Sequence, residues 1–163
     1  MNFRRATAAD IAWILEIEAD ARAGGYLSGS TREEHEASIC NPANEYWIAE
    51  RDGAAAAELI LRSVNSPHQS IELQRIVVVT PDQGIGTEVV RWALDRCFRE
   101  HGAHRVWLHT FEDNHRAKHL YTRLGFAVDG NLRECVRWTD GTRRSLLVMS
   151  ILRHEYEHLI RDC

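Results

Sequence analysis

An α+β fold, one mixed β-sheet flanked by helices, is predicted by three features of this 163-residue sequence. Asp52-Gly53 and Asp140-Gly141 each mark a hairpin between strand-like runs. Stretches of helical period alternate with short apolar runs in the central part of the chain. The length suits one hydrophobic core, so residues 1–163 are read as a single domain. The expected element order is βααβββαβαββ with a helical tail, with no internal repeat, low-complexity segment or linker.

After a short first strand, Thr7-Ala-Ala-Asp10 can cap a helix whose apolar side includes Ile11, Ile14 and Leu15. Thr31-Arg-Glu-Glu34 is a second capping box, opening a helix that stops at Asn41-Pro42. The loop between them, Gly24 to Ser30, is too glycine-rich for helix; its Tyr26 and Leu27 suit either a surface that closes over a ligand or an ordinary helix connection. Tyr46 to Arg51 and Ala55 to Arg62 read as the first hairpin, and Ile71 to Val79 as the next strand. Helix is expected from Thr87 to His101, where Val89, Val90, Ala93, Leu94, Cys97 and Phe98 recur at helical spacing and Gly102 can end it. Arg105 to Phe111 is strand. Asn114 caps a helix with the stripe Ala117, Leu120, Tyr121 and Leu124, closed by Gly125, and the last hairpin ends in Ser145 to Leu152.

Twenty Lys and Arg against 24 Asp and Glu give a net charge of −4 with no basic block, which excludes the electrostatic footprint of a nucleic-acid binder and favours a cationic partner. Cys40, Cys97, Cys135 and Cys163 form no Cys-x-x-Cys pair, so a zinc ribbon or redox motif is not expected and reduced thiols are. There is no apolar signal core at Met1-Asn2-Phe3-Arg4-Arg5 and no stretch of the roughly 18 apolar residues a membrane span requires, so a soluble, cytoplasmic protein without a membrane partner is expected.

The sharpest local feature is Gly84-Ile85-Gly86, between the apolar run Ile76-Val77-Val78-Val79 and a helix. Amides at such a junction can hold a phosphate, because unpaired N–H groups and the helix dipole both favour negative charge. It is not a dinucleotide site: Val89 takes the third glycine position of G-x-G-x-x-G. About thirty residues on come Asn114-His115-Arg116-Ala117-Lys118-His119-Leu120-Tyr121 and Leu124-Gly125-Phe126. Asn114 and Tyr121 lie on nearly one side of their helix, about two turns or roughly 10 Å apart, a spacing suited to a long thin ligand.

In order and spacing these segments resemble the acyl-CoA motifs of the GNAT (Gcn5-related) N-acetyltransferase family. The resemblance implies a GNAT-like, acyl-CoA-binding domain over 1–163 that uses acetyl-CoA as co-substrate. The chain departs from the family pattern in one place, with Pro81 at the position where a polar residue usually opens the glycine loop and Gln83 just before the first glycine. The backbone of Gln83, Gly84, Ile85, Gly86 and Thr87 would take the pyrophosphate. Ile76, Val77 and Val78 would pair with the pantetheine arm like an added strand, if the sheet splays there as in the family. Asn114 would contact the arm, and Tyr121 would also protonate the leaving thiolate.

Transfer to an amine needs a base, since an alkylammonium with a pKa of about 10 is not a nucleophile until it loses a proton. Glu72 is the first candidate, because alternation along its strand puts it on the face of Gln74, Ile76 and Val78; His109 and Glu112 remain alternatives. The amide of Val78 could stabilise the oxyanion. His154-Glu155-Tyr156-Glu157-His158 matches H-E-x-x-H, but only five residues follow it and nine histidines make a chance match unsurprising, so no metal is expected. His115 and His119 share that spacing but have Arg116 where a glutamate would be needed.

The expected activity is acetyl transfer to a primary amine, a small amine or a peptide N-terminus, by direct attack in a ternary complex. A non-catalytic acyl-CoA sensor is the alternative, and a zinc hydrolase a distant third. The reading leaves room for a homodimer.

Overall fold

Seven strands pair into one sheet: Asn2–Arg5 (β1), Asn44–Arg51 (β2), Ala54–Arg62 (β3), Ser70–Val78 (β4), Arg105–Phe111 (β5), Ala127–Arg137 (β6) and Arg143–Leu152 (β7). Their order is β1-β2-β3-β4-β5-β7-β6, antiparallel throughout except for β4 against β5. The helices are Ile11–Ala23 (α1), Arg32–Ile39 (α2), Ile85–Asp95 (α3), His115–Arg123 (α4) and Arg153–Arg161 (α5). The structure is a computed structural model describing residues 1–27, 29–81 and 83–161. The α+β class and the expected element order hold, and among the described residues no helix is long and apolar enough to cross a membrane. Of the cysteines, Cys97 is buried, Cys40 and Cys135 are exposed, and Cys163 lies outside the described residues.

Local chemistry sets most boundaries. Asp52 and Gly53 both have positive φ, as the tightest hairpin turn requires. The Thr31 side chain accepts from the Glu34 amide at 3.2 Å while the Glu34 carboxylate accepts from the Thr31 amide at 2.8 Å. Asn114 Oδ1 accepts from the Ala117 amide at 3.1 Å. The helix expected from Thr87 starts two residues earlier, because Gly84, at φ 75°, is its N-cap and its carbonyl accepts from the Thr87 and Glu88 amides. Its end is a π-helical turn, Arg96–Glu100, closed by Gly102 at φ 66°.

The sheet carries apolar residues on both faces. On one, Ile14 of α1 packs with Tyr46, Ile48 and Ile60, and Ile39 of α2 lies against them. On the other, Val89, Val90, Ala93 and Leu94 of α3 and Tyr156 of α5 cover Leu59, Leu61, Leu73 and Val106. Partners in β3 and β4 run Ile60 with Arg75, then Leu61 with Leu73, so Gln74 is an extra residue in β4, a β-bulge. An inserted residue reverses which side chains point to which face.

One polar cluster is buried between α1, α2 and the sheet, with Arg75 at its edge on the cleft. Glu18 and Glu58 are fully buried and His35 and Arg75 nearly so. The Arg75 guanidinium bonds the Glu18 carboxylate, His35 Nε2 lies 3.3 Å from it, and the Tyr46 hydroxyl lies 3.2 Å from His35 Nδ1. Burial pushes the Glu18 carboxyl up, but hydrogen bonding by His35 and the charge of Arg75 hold it below the usual carboxylate range. Neither oxygen of Glu58 has a hydrogen-bond partner; burial, then the Glu18 charge, push it up to about 8.

Candidate active site

Strands β4 and β5 are in register only at Ser70, Ile71 and Glu72, opposite Arg105, Val106 and Trp107. Beyond Glu72, β5 stays paired with β7 while β4 follows β3, so the sheet opens between them. The Val79 amide donates to the Ala56 carbonyl. By the alternation of an antiparallel strand, Val77 also turns its backbone to β3, whereas Ile76 and Val78 present theirs to the gap. The splay expected for an added-strand ligand is therefore present, with two of the three named residues offering main-chain partners to it.

A cleft of about 1140 Å³ occupies this gap. Its lining includes Glu72, Ile76, Val77, Val78, Pro81, Gly84, Ile85, Gly86, Thr87, His109, Asn114 and Tyr121. Gln83 is not in the lining: its carbonyl accepts from Arg51 at 3.2 Å. The Thr87 amide is engaged by the Gly84 carbonyl at 3.0 Å. That leaves Ile85 and Gly86 as the helix-start amides with no acceptor of their own inside the helix. A Cβ built on Gly86 would lie 3.6 Å from Leu120 and 3.8 Å from Val78, so the glycine keeps open the space between β4 and α4. From α4, His115, Arg116, His119 and Arg123 also line the cleft, and the two arginines give that end positive charge.

Asn114 spends Oδ1 on its own helix cap, which leaves its Nδ2 group as a donor. Tyr121 is half-buried, its ring 5.6 Å from that of Phe126, and burial pushes its phenol up to about 12. At neutral pH it is a neutral acid with a proton to give.

Glu72 needs correction in one respect. It does not share a face with Ile76 and Val78: the bulge at Gln74 intervenes, so Glu72, opposite Arg62, faces α1 and α2, whereas Ile76 and Val78 pack on the α3 side. The cleft reaches both faces. Glu72 Oε1 lies 3.8 Å from Nδ1 of His109, which the pairing of β5 brings to the same side, so the two leading base candidates are neighbours. Glu112 is outside the lining and accepts from Asn131 at 3.0 Å.

The loop after α1 closes over this side. Gly24, Tyr26 and Leu27 line the cleft; Ser28 lies outside the described residues. Arg144 ties the loop down by donating to the Gly25 carbonyl and to both Asp113 oxygens, with its guanidinium 3.9 Å from the Phe111 ring centre and 5.4 Å from that of Tyr26. In the H-E-x-x-H tail, Glu155 accepts from the Leu152 amide at 2.8 Å and thereby caps α5. Among the described residues, the three side chains placed to share a cation are Glu18, His35 and Glu58, within 4.8 Å of one another. Their positions, like those of Arg62 and Arg144, carried no local signal because they meet only across elements distant in sequence.

The model of the acetyltransferase (GNAT) family matches residues 11–126, from the first residue of α1 through the glycine loop to Phe126. The chain belongs to the GNAT acetyltransferase family. Its GNAT fold extends over nearly the whole chain: the spermidine N-acetyltransferase from Vibrio cholerae in complex with CoA and spermine superposes with a TM-score of 0.82 at 23% identity, covering 96% of this chain and 97% of that one. Among curated GNAT relatives, the spermidine N(1)-acetyltransferase of Escherichia coli (strain K12) is 28% identical over 113 residues, 68% of this chain and 59% of that protein. The enzyme of the same description from Vibrio cholerae is 30% identical over 111 residues, 66% of this chain and 61% of its own length. The match thus spans about three fifths of the curated relatives' length.

Proposed function

We propose that the protein transfers the acetyl group of acetyl-CoA to a primary amine by direct attack within a ternary complex. The observation that carries this is the opening between β4 and β5, which joins a glycine-lined helix start on one face of the sheet to Glu72 and His109 on the other. Acetyl-CoA, the co-substrate, lies with its diphosphate at Ile85 and Gly86 and its arm along Ile76 and Val78. The acceptor amine enters from the α1–α2 side. Glu72, beside His109, takes a proton from the ammonium; the amine nitrogen then bonds to the thioester carbon, and the Val78 amide receives the developing oxyanion. As the carbon–sulfur bond breaks, Tyr121 gives its proton to the thiolate, and the second proton shed by the nitrogen returns the phenol to its neutral form. No metal takes part. A small-amine acceptor is supported by the spermidine acetyltransferases among the relatives, and a peptide N-terminus offers the same nucleophile.

Calorimetric titration with acetyl-CoA tests the reading, and binding is expected to raise the melting temperature by mass action. Gly86→Leu is expected to weaken binding by roughly tenfold or more, because its side chain fills the gap between Val78 and Leu120, with little loss of melting temperature. No binding by the parent protein at millimolar CoA would end the acetyltransferase reading, and binding without thiol release on any amine would favour a sensor. For assembly, β6 is exposed at ten of its eleven residues and lies at the sheet edge, the natural seat for a second copy. Light scattering should return twice the 18.7 kDa chain mass; a monomer at micromolar concentration rejects the homodimer.

A further inference from the structure

The acceptor side of the cleft holds a positive group as well as a negative one. Arg62 and Glu72 are direct cross-strand partners at the ends of β3 and β4, on the face toward α1 and α2, and both line the cleft. Directly opposed residues of an antiparallel pair have Cβ atoms only about 5 Å apart, so opposite charges there ordinarily close on each other. These do not. Arg62 makes no ion pair among the described residues, and its buried Nε has no hydrogen-bond partner. Next to it, the bulge residue Gln74 lines the same cleft with a buried Oε1 that is likewise unpaired. The neighbouring cation, Arg75, is already committed to Glu18. A buried donor without a partner costs on the order of 1–3 kcal/mol, a cost that a ligand group completing the pair would recover.

We propose that the acceptor is an α-amino acid with a free carboxylate: its ammonium lies at Glu72, where the unpaired Gln74 Oε1 can accept from it, and its carboxylate is held by Arg62. This rests on the acetyl-transfer reading above and names its acceptor. An α-amino acid carries its two charges one carbon apart, matching a cation and an anion presented by adjacent strand positions. A polyamine has no group for Arg62 to bind and brings further positive charge toward it. The guanidinium fork suits a carboxylate in a bidentate pair. The chemistry balances as for any amine: nitrogen bonds to the acetyl carbon as the carbon–sulfur bond breaks, one of the two protons shed by the ammonium goes to Glu72 and the other offsets the proton given to the departing thiolate, and the carboxylate is unchanged.

The test is thiol release from acetyl-CoA with the twenty L-amino acids, their α-amides, spermidine and spermine, on protein first shown by calorimetry to bind acetyl-CoA. At least one amino acid is expected to react with kcat/KM at least tenfold above that of its own amide and above that of spermidine. In Arg62→Gln the acid-to-amide ratio should fall to near one, and Arg62→Lys should restore part of it. Spermidine outranking every amino acid, equal rates for acid and amide in the parent, a ratio unmoved by Arg62→Gln, or no reaction of any amino acid by protein that binds acetyl-CoA would each overturn the proposal. Absence of acetyl-CoA binding would instead remove the acetyltransferase reading beneath it.

Discussion

Tyr121→Phe is expected to lower turnover by roughly 10²-fold while acetyl-CoA affinity stays within a few-fold of the parent, the scale seen when a general acid is lost and its packing kept. Burial pushes the phenol up to about 12, so it carries a proton to supply at neutral pH. Phenylalanine retains the contact with Phe126 and the place in the Leu120–Leu124 stripe, which separates chemistry from binding. Single-turnover kinetics with preloaded acetyl-CoA make the measurement free of product release. If the variant acetylates as fast as the parent, Tyr121 serves only as a core aromatic and another group or water protonates the thiolate.

The largest effect on stability is expected at the buried polar cluster. Arg75→Met leaves the fully buried Glu18 carboxylate without its cation, and breaking a buried pair from one side costs about 3–5 kcal/mol. For a domain of this size that lowers the melting temperature by roughly 6–20 °C. Glu58 in the same cluster sets a pH dependence. Its folded-state pKa, about 8, lies above the ordinary value of 4.5, so between those two values the native state holds a proton that the unfolded state has released. Stability from this group is therefore complete at low pH and is lost as pH rises through that window. Glu58→Gln, a neutral group of the same shape, should flatten the fall between about pH 5 and about pH 8 seen in the parent by urea unfolding. Equal slopes for parent and variant would mean that Glu58 is ionised in the folded protein. A melting temperature for Arg75→Met within a degree or two of the parent would show that His35 alone suffices for Glu18.

What could be read from the sequence was whatever is written locally. Asp52-Gly53 needs no distant contact to turn the chain, since both residues adopt positive φ within the turn itself. Thr31 with Glu34, and Asn114 with Ala117, satisfy helix-start amides from within a few residues, so those helices were legible. The glycine loop and the Asn114–Tyr121 helix were legible as a GNAT family signature for the same reason: they line the cleft as short, contiguous segments.

The side of the cleft that holds Glu72 was decided by the tertiary structure. A period of two along β4 put Glu72 on the face of Ile76 and Val78, but the extra residue at Gln74 reverses the faces, and a bulge is set by pairing with β3 rather than by the residues of β4. The same pairing places Arg62 opposite Glu72, and the short register between β4 and β5 opens the cleft and brings His109 to Glu72. The buried set of Glu18, His35, Glu58 and Arg75 comes from two helices and two strands, each member unremarked in its own segment. Hydrogen-bonded caps and turns close over a few residues, so sequence alone determines them; strand register and the charges it juxtaposes depend on which elements share the sheet, which only the folded chain decides.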